Sequence, residues 1–186
     1  MTPHFRLARC AATLLTFAAA PALAAPDLPV VGKAAPTFSL RDREGALIAL
    51  GDLCYPGAAR AHQPKHVVVL DFFRTDCKPC RKSLPRLVEL HKQLKGKAVK
   101  VMLVALLEDD EGQEKLDSFL RGQQLPFPVL VDAYAVASKK YVSKGGGVQI
   151  PALFVIDRAG VLRARHGGVE AKEQAALHKQ IMDLLK

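Results

Sequence analysis

Strands that alternate with helices, then close in a hairpin and a last helix, predict an α/β domain. Its sheet is mixed and covered on both faces. Three observations carry that expectation. The run Val67 to Phe73 is apolar, β-branched and aromatic, which marks a buried strand. Ser83 to Leu90 then carries apolar residues at helical spacing. Pro151 to Ile156 and Val161 to His166 flank the turn Asp157-Arg158-Ala159-Gly160, and so read as a hairpin.

The chain has 186 residues, enough for one domain with a full-sized core. Residues 1–24 read as a secretory signal peptide. Arg6 and Arg9 make the positive start, Ala11 to Ala20 is apolar, and Ala22-Leu23-Ala24 supplies small residues for cleavage before Ala25. The apolar stretch is shorter than the roughly 20 residues of a membrane helix, with an uncleaved anchor as the alternative to a cleaved signal. Cys10 precedes it, which speaks against a lipoprotein signal. The destination this implies is periplasmic or otherwise extracytoplasmic, and oxidising.

Residues 25–36, rich in Pro and Ala, form an extended lead-in to a domain over 37–186. Thr37 to Leu40 and Ala46 to Leu50, joined by Arg41-Asp42-Arg43-Glu44-Gly45, read as an N-terminal hairpin. Residues 54–66 read as an irregular loop ahead of the central strand. The helix after that strand runs to about Leu94 and ends at Gly96, with Pro85 expected to kink it. Val99 to Leu107 is the next buried strand, and the acids Glu108 to Glu111 open a helix ending near Gly122. Phe127 to Val131 reads as a short strand or extended segment, Ala133 to Val142 as helical in composition, and Val169 to Leu185 as a closing amphipathic helix.

Removing the signal leaves Cys54, Cys77 and Cys80, an odd number that does not suit a disulfide-stapled scaffold. Losing Arg6 and Arg9 from 27 basic residues leaves 25 against 18 acidic, a net charge of +7. The basic residues are scattered without interleaved aromatics, so the chain does not read as a nucleic-acid binder. Solubility and attraction to acidic partners or a nearby membrane surface explain the charge.

Cys77-Lys78-Pro79-Cys80 sits where the buried strand gives way to the helix. The first cysteine falls in the loop before the helix and the second one turn later, so the two sulfurs can meet as a short-loop disulfide. Unpaired N–H groups and the positive helix end favour a thiolate on Cys77. Half of a zinc site is the dull alternative, but no second cysteine pair completes it. Haem attachment needs His after the second cysteine, where Arg81 stands. Asp71 lies on an otherwise apolar strand, where a lone charge is costly. Cys54 with His62 and His66 offers a thiolate and two imidazoles, a set that suits copper or zinc; the bland alternative is a free thiol in a loop with solvated histidines.

The segment Val67 to Pro85 resembles the active-site region of the thioredoxin superfamily. Asp71 lies six residues before Cys77, Pro85 five after Cys80, and Ile150-Pro151 precedes the later hairpin. With the N-terminal hairpin and signal, the chain is most similar to the TlpA/ResA-like periplasmic thiol–disulfide oxidoreductases, over residues 32 to 186. The resemblance implies a thioredoxin-like fold: a central mixed sheet flanked by helices, with a hairpin extension. It implies Cys77 as nucleophile, Cys80 as resolving thiol and Asp71 as a buried acid moving the Cys80 proton. The rival for Asp71 is a salt bridge to a buried Lys. Ile150 and Pro151 would be a substrate-binding loop with a cis-proline.

This sequence departs from the family where Phe73 and Asp76 replace common tryptophans. Asp76 should raise the Cys77 pKa, while Lys78, Arg74 and Arg81 should lower it. Lys78-Pro79 between the cysteines, and Ile150 before the proline, lean towards the reducing members. The expectation is a monomeric protein disulfide reductase with no cofactor beyond the Cys77–Cys80 disulfide and no resident metal. Its substrates would be proteins with disulfides or thiols, cytochrome c maturation being one such pathway, and a membrane thiol donor of the DsbD/CcdA type would supply electrons. The alternatives are a dithiol oxidase or isomerase and a Sco-like copper-binding module, a family whose cysteines have three residues between them where this chain has two. A thiol peroxidase would need a TxxC spacing that Thr75-Asp76-Cys77 lacks.

Overall fold

The structure, a computed structural model, describes residues 28–55, 65–107, 112–145 and 147–186. The signal peptide expected over 1–24, His62 and the acidic run 108–111 lie outside the described residues. Strand β3 (Val67–Phe73) forms the spine of the sheet, all seven side chains buried. It pairs in parallel with β4 (Val99–Leu106), Val69 opposite Val101. On its other side it runs antiparallel to β8 (Ala152–Ile156), Leu70 opposite Phe154. β5 (Val129–Asp132) adds in parallel to β4. The hairpin β1 (Ser39–Asp42) and β2 (Leu47–Ala49) extends that edge antiparallel. β9 (Leu162–His166) closes the other edge, giving the seven-stranded order β2-β1-β5-β4-β3-β8-β9. The mixed sheet expected from the sequence is present.

Alternation along β3 splits the interior into two cores. Val67, Val69 and Phe73 meet α2 (Lys78–Gln93), α3 (Gly112–Arg121) and α5 (Gln174–Asp183) through Leu84, Leu87, Leu116 and Ile181. Leu87 is fully buried there, worth about 1.5–3 kcal/mol of transfer free energy. Val68, Leu70 and Phe72 face the opposite way, onto α1 (Leu50–Cys54) and α4 (Ser138–Tyr141). Tyr141 stacks on Phe72 at 5.4 Å and meets Phe154 edge-on at 5.0 Å, aromatic geometries that add to simple burial. Sheet faces and helices therefore agree with the sequence pattern.

Several boundaries differ for local reasons. Helix α1 occupies residues read as the end of a strand and the start of a loop, because Leu50 and Cys54, one turn apart, are both fully buried. Helix α4 is far shorter than composition suggested. The Asp132 carboxylate accepts bonds from the backbone N–H groups of Val136 (2.6 Å) and Ser138 (2.7 Å) and from Ala137. It therefore organises 133–137 as a turn and delays the helix. Helix α5 starts at Gln174 because Val169 is drawn into the core ahead of it. α2 runs unbroken through Pro85. A small two-stranded ladder, β6 (Ser143–Lys144) with β7 (Gly147–Val148), precedes the cis-proline loop.

The lead-in is fastened down. Gly32 N–H donates to Leu162 O (2.8 Å), Leu162 N–H to Lys33 O (2.9 Å) and Ala35 N–H to Gly160 O (2.9 Å). Three successive carbonyls then accept from side chains: Ala35 from Tyr55, Pro36 from Tyr141 (2.7 Å) and Thr37 from Lys140 (2.7 Å). Among the described residues, no helix is long and apolar enough to cross a membrane.

Candidate functional site

The end of β3 delivers the chain to Cys77, which caps α2. Its backbone is extended (φ −72°, ψ 96°) and its Sγ accepts the N–H of Cys80 at 3.2 Å. Pro79 sits in the first helical turn, where a missing N–H costs nothing. Cys77 and Cys80 are disulfide-bonded, with Sγ–Sγ 2.07 Å and Cα–Cα 5.3 Å. The pair is asymmetric: Cys77 is half-buried, while Cys80 is 2% exposed. Lys78 and Pro79 between them are exposed. An entering disulfide can reach the first sulfur and not the second.

Asp71 lies on the β3 face shared by Val69 and Phe73, the face that packs against Cys80. Its Oδ1 has no hydrogen-bond partner in the protein. Burial alone pushes its carboxyl up to about 8, so it is held protonated at neutral pH and ready to ionise. No ion pair to it is present among the described residues, and the buried Lys considered as a partner is not there.

The Ile150–Pro151 peptide bond is cis. Pro151 leads into β8, whose Ala152 pairs with Phe72. One ladder therefore sets the proline and the exit from β3 towards Cys77 at the same end of the sheet. Gly168 (φ +92°) closes the arrangement from behind, packing on Pro151 and Ser83. Ser83 Oγ donates to Cys80 O at 2.9 Å. Neither Ser83 nor Gly168 was singled out from the sequence. A buried polar residue at an apolar helix position and a Gly-Gly pair were the available signals.

Arg74 and Asp76, expected to tune the site, form a two-pronged ion pair. Nε reaches Oδ1 at 3.0 Å and Nη2 reaches Oδ2 at 2.7 Å. Cys54 stands apart, fully buried in the second core with its thiol donating to Leu50 O at 3.4 Å. Burial, with Asp157 adding, pushes that thiol up to about 12. Among the described residues no group of three His, Cys, Asp or Glu side chains is placed to hold a metal ion.

Residues 31–165 match the model of the AhpC/TSA family. The chain is 33% identical over 144 residues to thiol-disulfide oxidoreductase ResA of Bacillus thuringiensis subsp. konkukian, covering 77% of this chain and 73% of that protein. It is 27% identical over 143 residues to thioredoxin-like protein YneN of Bacillus subtilis, covering 77% and 75%. Among solved structures, a protein described as thiol:disulfide interchange protein DsbE of Chlorobium tepidum superposes with a TM-score of 0.67. It shares 28% identity, over 85% of this chain and 99% of that one. This chain belongs to the AhpC/TSA family and is a thiol–disulfide oxidoreductase of thioredoxin-like fold.

Proposed function

We propose that the mature chain acts outside the cytoplasm as a protein disulfide reductase. The observation that carries the reading is the asymmetric pair: a reachable Cys77 at the N-terminus of α2, and a buried Cys80 on the side of the sheet that holds an uncompensated acid. The Cys77 thiolate attacks a client disulfide, forming a mixed disulfide and releasing one client thiolate. Asp71, once it has given up its own proton to solvent, takes the Cys80 proton through solvent and passes it on towards the client thiolate. The Cys80 thiolate attacks Cys77 Sγ, breaking the mixed disulfide and expelling the second client thiolate. Two electrons pass to the client, its two sulfurs take up two protons, and Cys77–Cys80 is left oxidised. A membrane thiol donor of the DsbD/CcdA type restores the dithiol by the same exchange in reverse.

Ile150 and Pro151 line the approach to Cys77 and offer backbone groups to the client chain, while Lys78, Pro79, Arg74 and Asp76 tune the couple. Lys78-Pro79 and Ile150 support the reducing direction, as does Asp71. Once ionised on the side of the sheet that packs against Cys80, it opposes further negative charge there. The signal-like N-terminus supports export, and apocytochromes awaiting haem are one client class. A monomer suffices, since nucleophile, resolving thiol and acid all come from one chain.

The reduction potential of Cys77–Cys80 tests the direction. Equilibration of the mature protein with glutathione or dithiothreitol mixtures should give roughly −250 mV or lower. A value above roughly −180 mV would make the protein an oxidase or isomerase.

A further inference from the structure

A charge on the residue next to a nucleophilic cysteine lies near the thiolate and shifts its stability. Here that residue is an acid, Asp76. Left to itself it would oppose a thiolate on Cys77 and work against the helix N-terminus that favours one. The structure shows what restrains it. Arg74, two residues earlier, grips both carboxylate oxygens, Nε–Oδ1 at 3.0 Å and Nη2–Oδ2 at 2.7 Å. The backbone supports the grip, because Arg74 O accepts the N–H of Cys77 at 3.3 Å. Arginine, acid and nucleophile are therefore joined in one turn between β3 and α2.

We propose that Arg74 is a positioning residue for the dithiol: its fork holds the Asp76 carboxylate and takes up its charge, so that Cys77 keeps the benefit of the helix end. The proposal rests on the exchange chemistry assigned to Cys77 and Cys80. Lysine could not serve equally, since an ammonium lacks the planar fork that meets both oxygens. Among the described residues, further charges near Cys77 are Lys78 and Arg81 on α2, and Asp71 on β3. The loop Gln149-Ile150-Pro151 brings no charge, and the turn behind Pro151 is bracketed by His166 and Glu170.

The pair is partly exposed, with side chains 29% and 51% accessible. The effects are therefore small, about two- to fivefold in an equilibrium constant. A stabilised thiolate favours the reduced pair and a destabilised one the disulfide. Arg74→Gln should thus shift the glutathione equilibrium of the mature protein towards the Cys77–Cys80 disulfide, and Asp76→Asn towards the dithiol. The deciding quantity is the Arg74→Gln shift measured twice, with Asp and with Asn at position 76. Two charges acting independently on Cys77 give equal shifts; a clamp gives a larger shift when Asp76 is present. Arg74→Lys should move the equilibrium in the same direction as Arg74→Gln. Equal shifts in the two backgrounds, or unsubstituted behaviour in Arg74→Lys, overturn the clamp and leave the exchange chemistry standing. No exchange at Cys77–Cys80 in the unsubstituted chain overturns both.

Discussion

Gly168 stands so close to Pro151 that a Cβ added to it would come within 3.2 Å of the proline Cβ, and within 3.3 Å of Ser83 Oγ. Its φ of +92° is also one that side-chain-bearing residues avoid. The cis-proline loop and the first turns of α2 are thus spaced by a residue with no side chain. Gly168→Ala should cost about 1–3 kcal/mol of stability from backbone strain alone, and push Pro151 away from the helix. Urea midpoints and the rate of reduction of a disulfide-bonded test protein should both fall. An unchanged rate would show slack in the loop.

Asp71 links stability to pH. Its ordinary value is 3.8 and its folded value about 8, so between those limits the folded protein holds a proton that the unfolded chain gives up. Stability contributed by this group therefore falls as pH rises from about 4 to 8, by about 1.4 kcal/mol per unit. Asp71→Asn should remove the slope and stabilise the oxidised protein at pH 7 by a few kcal/mol, while slowing release from the mixed disulfide. Denaturation of both proteins at several pH values checks the first effect. A parallel pH dependence in the two would exclude Asp71 as its source.

The accessibilities of Cys77 and Cys80 separate their variants. Cys77→Ser should abolish turnover. Cys80→Ser should leave attack intact and accumulate mixed disulfides with clients, seen as higher bands on non-reducing gels. Full activity in both variants would refute the dithiol mechanism.

Cys54 should be silent. With its thiol buried and pushed up to about 12, it has almost no thiolate at neutral pH. Iodoacetamide should label Cys77 in the reduced native protein and reach Cys54 only after unfolding. Cys54→Ala should leave exchange rates within about twofold, since thiolate fraction and access govern exchange. Rapid native labelling of Cys54 would contradict its burial.

What the sequence made legible was whatever repeats a period or breaks one. The β-branched run at Val67 to Phe73 identified the spine, and Asp71 stood out because it interrupted that run. Cys77 and Cys80 were legible from their spacing at a strand–helix junction. The misplaced boundaries have separate causes: burial of Leu50 and Cys54 made α1, Val169 drawn into the core delayed α5, and a side chain binding backbone several residues away shortened α4. Asp132 turned a helical composition into a turn, and composition carries no trace of such a bond. Gly168 and Ser83 escaped because their importance lies in a contact between segments far apart in sequence. The Arg74–Asp76 fork was half legible: both charges were noted, but whether they act on Cys77 separately or on each other depends on geometry.

The grip on the lead-in has a mechanical side. Residues 32–35 bond to the start of β9 and the turn before it, and the next carbonyls are held by Tyr55, Tyr141 and Lys140. Load applied to the chain ahead of residue 32 is shared by the β8–β9 turn and α4, and reaches α2 and its cysteines only through the sheet. A leash tied there can hold the domain in place without tugging on its reacting sulfurs.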